Sequence, residues 1–339
     1  MGHLLDVDPS HFGFWPGLIH AVLLHQLHYP GTSELVFKFA DTMTRFGCQQ
    51  FCIVTGLPYV GQSEFPPSSG RLLKRYGRGG KLRRESLLEA FTRCTDRVDQ
   101  VKLGVAYLVE GLIFSKAKSI FVRPEILGLV DDLEAFNRVA WGRLGWEYMA
   151  PTLKECIVSK KSNFSGTYAV KGFFDSLSAF AMECLPDLSK LGVQRVGHNI
   201  PRMANWKMGH RYPFPNLLAT VFSQVRTLEF TSLSCLHVIS ATLHNSNLNN
   251  FFSQPMNVFE IQLTVEEAEH PNLARIGDAA EKNEGQSADD FLNLAASVRE
   301  GQSERRREPA KTVCIAQCHQ LLFRHMYGIV QYDISFNTV

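Results

Sequence analysis

Two cysteines four residues apart with a histidine beside them, Cys314-x-x-x-Cys318-His319, and a further histidine at His325, are ligand types that zinc accepts, and a helix would put both thiols on one face. A structural zinc site needs four ligands at workable spacing, and no second Cys/His pair stands close in the chain, so the residues assign no metal and no cofactor. Cys48 and Cys52 repeat the spacing among Phe46, Phe51 and Ile53, a setting in which a reduced thiol acts as a small buried hydrophobe. Cys235 and His237 would share one side of a strand, which is not proton-transfer geometry, and a cysteine nucleophile needs a base within hydrogen-bond reach. No catalytic residue is assigned. Asp131, Asp132 and Glu134 offer oxygens to a cation, but the simpler reading is a helix N-terminus, with Asp131 or Asp132 capping the first turn.

Positive charge concentrates between residues 71 and 84, in Arg71, Lys74, Arg75, Arg78, Lys81, Arg83 and Arg84, interrupted by Gly77, Gly79 and Gly80. Such a run suits phosphate contact or nuclear import, and Tyr76 within it suits stacking on a base, so these seven cations are the candidate nucleic-acid contacts. The competing reading is a solvated loop with Leu72, Leu73 and Tyr76 packed inward. A Gly-Lys-Ser/Thr phosphate loop, a Gly-x-Ser-x-Gly elbow and a His-Glu-x-x-His helix are all missing.

The elements that must position these groups follow from periodicity. The organising stretch runs from Asp96 to Trp146, two apolar helical patterns joined by a break at Arg123-Pro124. Val98, Val101, Val105, Leu108, Val109, Leu112 and Ile113 recur at helical spacing and form one stripe that should be buried, making the helix from Val98 to Phe114 the centre of the domain. Helices are also read at Gly17–His28 behind Pro16, at Cys48–Thr55 closed by Gly56, at Glu85–Cys94, at Phe173–Leu185 ended by Pro186 and at Asn216–Val225. Pro151 should kink or restart the helix that follows Trp146. Glu34–Phe39 and Met43–Phe46 form a hairpin, Tyr168–Val170 a short strand, Pro201–Trp206 an extended segment, and a second strand pair is read near Phe230. Residues 58–84 read as loop, with no single regular element.

The bulk numbers set the frame. With 339 residues, 45% hydrophobic and 20% charged, the chain is ordinary globular material, and a formal net charge of +2 leaves any basic function to a local patch. The eight cysteines, with no secretory leader ahead of them, fit a reduced intracellular compartment, and no apolar run approaches the ~20 residues of a membrane span. The fold class is α+β: a mainly helical single domain, residues 1–245, with a small N-terminal hairpin and a second short strand pair. Composition then shifts, Asn-rich and afterwards acidic and small, so residues 246–311 read as a flexible, disordered linker around a short helical pattern at Asp289–Val298. Residues 312–339 are a short apolar tail with helical spacing through Leu321, Leu322, Met326 and Ile329.

Several strings taken together resemble a plant family: the domain of unknown function found N-terminal to ubiquitin-like-specific cysteine protease domains in Mutator-like transposable-element proteins. They include Leu23-Leu24-x-Gln26-Leu27, Glu34-Leu35-Val36-Phe37, Arg45-Phe46-Gly47, Phe51-Cys52-Ile53-Val54-Thr55-Gly56-Leu57 and Leu72-Leu73-x-Arg75-Tyr76. Lys102-Leu103-Gly104-Val105-Ala106-Tyr107-Leu108-Val109-Glu110-Gly111, Val130-Asp131-Asp132-Leu133-Glu134-Ala135-Phe136-Asn137, Trp141-Gly142-Arg143-Leu144 and Pro201-Arg202 follow in the family's order, over residues 1–207. The resemblance implies a transposon-derived, nuclear plant protein. The family's protease domain needs a His, an Asp, a Gln and a Cys in an Asp-Cys-Gly string; none of the eight cysteines sits in one, so peptidase activity is not carried over. The expectation is a non-enzymatic interaction module with a protein partner, the alternatives being a nucleic-acid accessory using residues 71–84 and a fragment of a cysteine-peptidase polyprotein.

Overall fold

The computed structural model describes residues 4, 7–8, 13, 15–27, 33–40, 42–63, 70–115, 118–158, 166–168, 170–222, 257–273, 276 and 334–336. Helices dominate, with small sheets beside them. Helix α1 (Pro16–Leu24) begins with Pro16 in its first turn, where a missing N–H costs nothing, and residues 17–23 are all buried. It stops short of His28: the chain turns at His25 into β1 (Gln26–Leu27), antiparallel to β2 (Leu35–Phe39). Strand β2 pairs with β3 (Thr42–Phe46) in the expected hairpin, from Leu35 opposite Phe46 to Phe39 opposite Thr42.

Behind the hairpin lies an aromatic core. Helix α2 (Cys48–Thr55), closed by Gly56 in the left-handed conformation (φ 66°), packs against α8 (Trp141–Val158) and α9 (Asp175–Cys184). Phe46 meets Phe180 at 4.5 Å and Trp146 at 5.2 Å between ring centroids. The close approach of α2 and α8 explains the string Trp141-Gly142-Arg143-Leu144-Gly145-Trp146. A Cβ on Gly142 would overlap the Cys52 sulfur, and one on Gly145, a turn away, would stand 3.1 Å from Ile113 and 3.3 Å from Phe51. Trp141 is buried with its indole N–H donating to the Phe136 carbonyl at 3.0 Å. Helix α8 runs through Pro151 without restarting.

Segment 71–84 is more ordered than its composition suggests. Arg71–Tyr76 is a short helix, α3, followed by a two-glycine turn that bridges Arg78 to Lys81. Helix α4 (Arg84–Arg93) then packs along α5 (Arg97–Leu108), which Asp96 caps by accepting from the Val98 and Asp99 amides.

The expected burial of the valine stripe on α5 is wrong for its first two turns. Val98 is 62% and Val101 55% exposed, while Asp99, Leu103, Ala106 and Tyr107 are buried. At 100° per residue these two faces are about 150° apart. A single turn of π-helix, Val109–Ile113, changes the phase, and there the expected residues Val109, Leu112 and Ile113 are buried with Glu110 and Gly111. Beyond the Pro124 break the second pattern divides into α6 (Pro124–Leu129), α7 (Leu133–Asn137) and the start of α8. Asp132 caps α7, as its position before an apolar run suggested, by accepting from the Glu134 and Ala135 amides.

Strands β4 (Gly166–Tyr168) and β8 (Ile334–Phe336) pair antiparallel, as do β5 (Gln194–Arg195) and β6 (Trp206–Lys207). Residues 201–206 are extended only at their ends: between them Arg202–Asn205 forms a 3-10 turn that directs Arg202 inward. Helix α10 (Phe214–Thr220) packs on α1. The strand pair read near Phe230 lies outside the described residues, as does most of the apolar tail. Part of the stretch read as linker is built into the domain. Strand β7 (Asn257–Phe259) extends the hairpin sheet, parallel to β3, and α11 (Val265–Glu269) carries Glu267, which both Nε and Nη2 of Arg202 meet at 2.6 Å. A buried guanidinium must be paired, and here Glu267 pairs it together with Glu183, which ties residues 260–267 onto the fold.

The reversed face of α5 sets a stability contrast. Val101→Ser should change unfolding free energy by less than ~0.5 kcal/mol, whereas Leu103→Ala should cost ~2–5 kcal/mol. Urea denaturation of both variants distinguishes this arrangement from one in which the valines are core.

Candidate functional site

Burial explains where the charges of the basic segment go. Asp99, on the inward face of α5, has a side chain only 2% exposed. Its Oδ1 accepts from Arg71 Nη2 at 2.6 Å and its Oδ2 from Arg75 Nη1 at 2.6 Å and the Tyr76 hydroxyl at 2.9 Å. Arg71 also reaches Asp131 Oδ1 from Nε at 3.0 Å and Nη2 at 2.6 Å, and Lys102 closes the set at 3.2 Å from the same oxygen. The hydrogen bond from Arg71 is the largest influence on Asp99 and holds its carboxyl below the ordinary range, against the upward pull of burial. Tyr76, expected either to stack on a base or to pack inward, is half-buried against the core with its hydroxyl on Asp99 and also lines a surface groove.

A second cation is lost to the interior. Arg84 is 1% exposed, its guanidinium 4.5 Å from the Tyr107 ring centroid and its Nη2 donating to the Tyr107 hydroxyl at 2.8 Å. It fills the space that a side chain on Gly111 would need, 3.2 Å from that glycine's would-be Cβ. On the same π-helical turn, Glu110 accepts from the backbone N–H of Arg123 at 3.1 Å and its Nε at 3.0 Å. Of the seven predicted contacts, Arg84 is corrected to a structural tie because it is buried, while Arg71 and Arg75 stay half-exposed but have guanidinium nitrogens engaged by the buried Asp99.

Lys74, Arg78, Lys81 and Arg83 are exposed, and among the described residues none of them is paired with a carboxylate. Arg78 and Lys81 flank the Gly79-Gly80 turn, both glycines at positive φ (58° and 70°), where other residues are strained. Beside the turn stands Phe121, 43% exposed, with Arg83 4.8 Å and Lys81 5.4 Å from its ring centroid. Arg83 and Phe121 are bridged strand-like, and the Val122 amide donates to Leu82 at 2.8 Å, so the ring is fixed by backbone. Together with Arg93 and Glu89 of α4 these residues line a groove of about 500 Å3. Phe121 and Arg93 were missed in the sequence. Arg93 follows Ser86 and Ala90 at helical spacing, but nothing local announces that an aromatic 37 residues after the basic run would join it.

Cys48, Cys52 and Cys184 do not line this groove, whereas Cys94 lies at its edge, its sulfur 3.2 Å from the Tyr76 hydroxyl. Cys52 is buried beside Cys48, and burial pushes both Cys52 and Cys184 up, away from thiolate formation. Among the described residues no group of three or more His, Cys, Asp or Glu side chains is placed to hold a metal ion. Cys235, His237, Cys314, Cys318, His319 and His325 lie outside the described residues. No helix among the described residues is long and apolar enough to cross a membrane. One carboxyl stands without a mate: Asp175, at the start of α9, is buried, and among the described residues its Oδ1 has no hydrogen-bond partner. Burial raises its pKa to about 7, against the opposing charge of Arg211.

Residues 23–152 match the family model of a domain of unknown function, DUF1985. That span reaches from the end of α1 into α8 and so includes the Asp99 cluster, the two-glycine turn and the groove. Comparison with curated proteins and with solved structures finds no match.

The two carboxyls should give opposite pH signatures. Because the folded pKa of Asp99 is depressed, its contribution is present above the unfolded value of ~3.9 and lost as pH falls through the folded value; Asp99→Asn should cost ~1–3 kcal/mol at pH 7, less as pH drops. For Asp175, whose folded pKa is raised, stability is fully present below the unfolded value and lost as pH rises through about 7. Asp175→Asn should therefore remove a downward slope of up to ~1.4 kcal/mol per pH unit between about 4 and 7, measured by urea titrations across that range.

Proposed function

We propose that the domain is a non-catalytic interaction module, and that it meets its partner through the face that carries the Arg78–Lys81 turn, Phe121 and Arg93. The observation that supports this is how most buried charges are spent: Asp99, Glu110, Arg202 and Glu267 are each engaged by a structural partner, with Asp175 the exception. Catalysis by acid, base or nucleophile needs groups that converge on a reacting atom with capacity to spare. The surface groove, by contrast, keeps cations that no carboxylate among the described residues pairs.

The order of the strings over residues 1–207 supports a finer reading: a plant, transposon-derived protein acting in the nucleus, whose domain originally accompanied a ubiquitin-like-specific cysteine protease. In that setting the module would position its associated machinery on a partner rather than cleave it. A ubiquitin-like modifier carrying a C-terminal thiol-reactive electrophile tests the non-catalytic claim directly. No adduct is expected at Cys48, Cys52, Cys94 or Cys184, and a specific adduct at any cysteine of the full chain overturns it. Crosslinking in plant nuclear extract tests the face: capture of a discrete partner should be lost in Lys81→Glu/Arg83→Glu and kept in Val101→Ser, and equal capture by both variants counts against the assignment of this surface.

A further inference from the structure

We propose that the groove between the two-glycine turn, α4 and Phe121 binds single-stranded nucleic acid, with Arg78, Lys81, Arg83 and Arg93 on phosphates and Phe121 under a base. The inference rests on the reading of the domain as an interaction module and names the partner of that face. Three observations carry it.

The first is charge that is left over. Among the described residues no carboxylate pairs with Arg78, Lys81, Arg83 or Arg93, and Glu89 is the one acid on the groove wall. In the same segment Arg71 and Arg75, though half-exposed, are tied to Asp99, so the contrast lies between cations the fold pairs with a carboxylate and cations it leaves without one. The second is preorganisation. The turn is clamped by the Arg78 amide on the Lys81 carbonyl at 2.9 Å and the reverse bond at 3.1 Å, and Arg83 Nη1 donates to the Ser119 carbonyl at 2.7 Å. Nothing lies within 4 Å of a Cβ built on Gly79 or Gly80, so these glycines serve the backbone bend and not a crowded contact. Cations held on a fixed backbone lose less freedom on binding than cations on a loose loop.

The third is the exposed ring. Phe121 lies in the midst of the cations, with Lys81 and Arg83 within 5.4 Å of its centroid. A strand with unstacked bases uses both features, since its backbone meets the positive charge while a base lies on the aromatic face. A duplex keeps its bases stacked inside and would use the cations alone. An acidic peptide would likewise satisfy the guanidiniums and leave the ring without a role. The volume of about 500 Å3 lies within the range of ligand sites and holds a base with its flanking phosphates.

Fluorescence anisotropy of the full chain tests this with labelled single-stranded DNA and RNA of about 12 nucleotides, within the site sizes such proteins use. The competitors are the same sequence as a duplex, a polyglutamate peptide and inorganic pyrophosphate. Single strands should bind, and log K should fall linearly with log salt concentration. Lys81→Ala and Arg83→Ala should each reduce that slope by ~0.7. Phe121→Ala should weaken binding about 5- to 150-fold with the slope unchanged. Phe121→Trp should restore it, which separates a stacking role from a folding defect, and Val101→Ser should bind as the parent does. Binding independent of salt, no effect of Phe121→Ala, or displacement by duplex or polyglutamate as readily as by single strand overturns the proposal. If no strand binds while nuclear capture still depends on Lys81 and Arg83, this inference fails and the interaction-module reading stands; a thiol adduct would overturn that reading whatever the anisotropy shows.

Discussion

A buried carboxylate with two guanidiniums and a phenol around it governs the first half of this protein. An ionised side chain at 2% exposure costs several kcal/mol unless its oxygens are filled, and Asp99 fills them from Arg71, Arg75 and Tyr76. Satisfying Asp99 draws α3 onto α5 and turns the valines of α5 outward. It also divides the basic segment into a consumed part and a displayed part. The helix rotation, the order in a segment that reads as loop and the composition of the groove are thus consequences of one desolvated charge.

The rest of the domain shows the same use of paired charges at its seams with an aromatic core between them. Phe46, Phe51, Trp146 and Phe180 hold the hairpin to α2, α8 and α9, and the absence of side chains at Gly142 and Gly145 lets α8 sit close enough for those rings to meet. At the far seam Arg202 draws Glu183 and Glu267 together, and a guanidinium at 8% exposure has little water to replace them. Arg45 makes an ion pair with Glu260 on the same returning segment. Residues 257–273 thereby become part of the sheet and of its charge pairing, although their composition is that of a surface segment.

Function follows from what these pairings leave behind. The interior pairs most of its charges, the thiols of Cys52 and Cys184 are pushed up by burial, and the same desolvation raises Asp175 to about 7. What is directed outward is a rigid turn with a cation on each side, an exposed ring and a positively charged groove wall. A surface of that kind suits recognition, the role proposed for it.

Local pattern alone determined much of this protein. Pro16 at a helix start, Gly56 at a helix end, Asp132 as a cap, the alternation of Leu35–Phe39 with its return at Thr42–Phe46 and the α9 stripe ended by Pro186 all depend on interactions within a few residues, and all are legible in the chain. Tertiary structure decided the facing of α5, because a repeat of valines fixes only that a stripe exists, whereas the free energy of pairing Asp99 with residues 24 and 28 positions away selects which side is buried. It decided that Arg84 stacks inside on Tyr107 while Arg83, one residue earlier, faces solvent. It brought Phe121 to the cations and Glu267 to Arg202. Each of these is a long-range encounter of charge or ring with a partner distant in sequence, and composition records that such groups are present but not which of them meet.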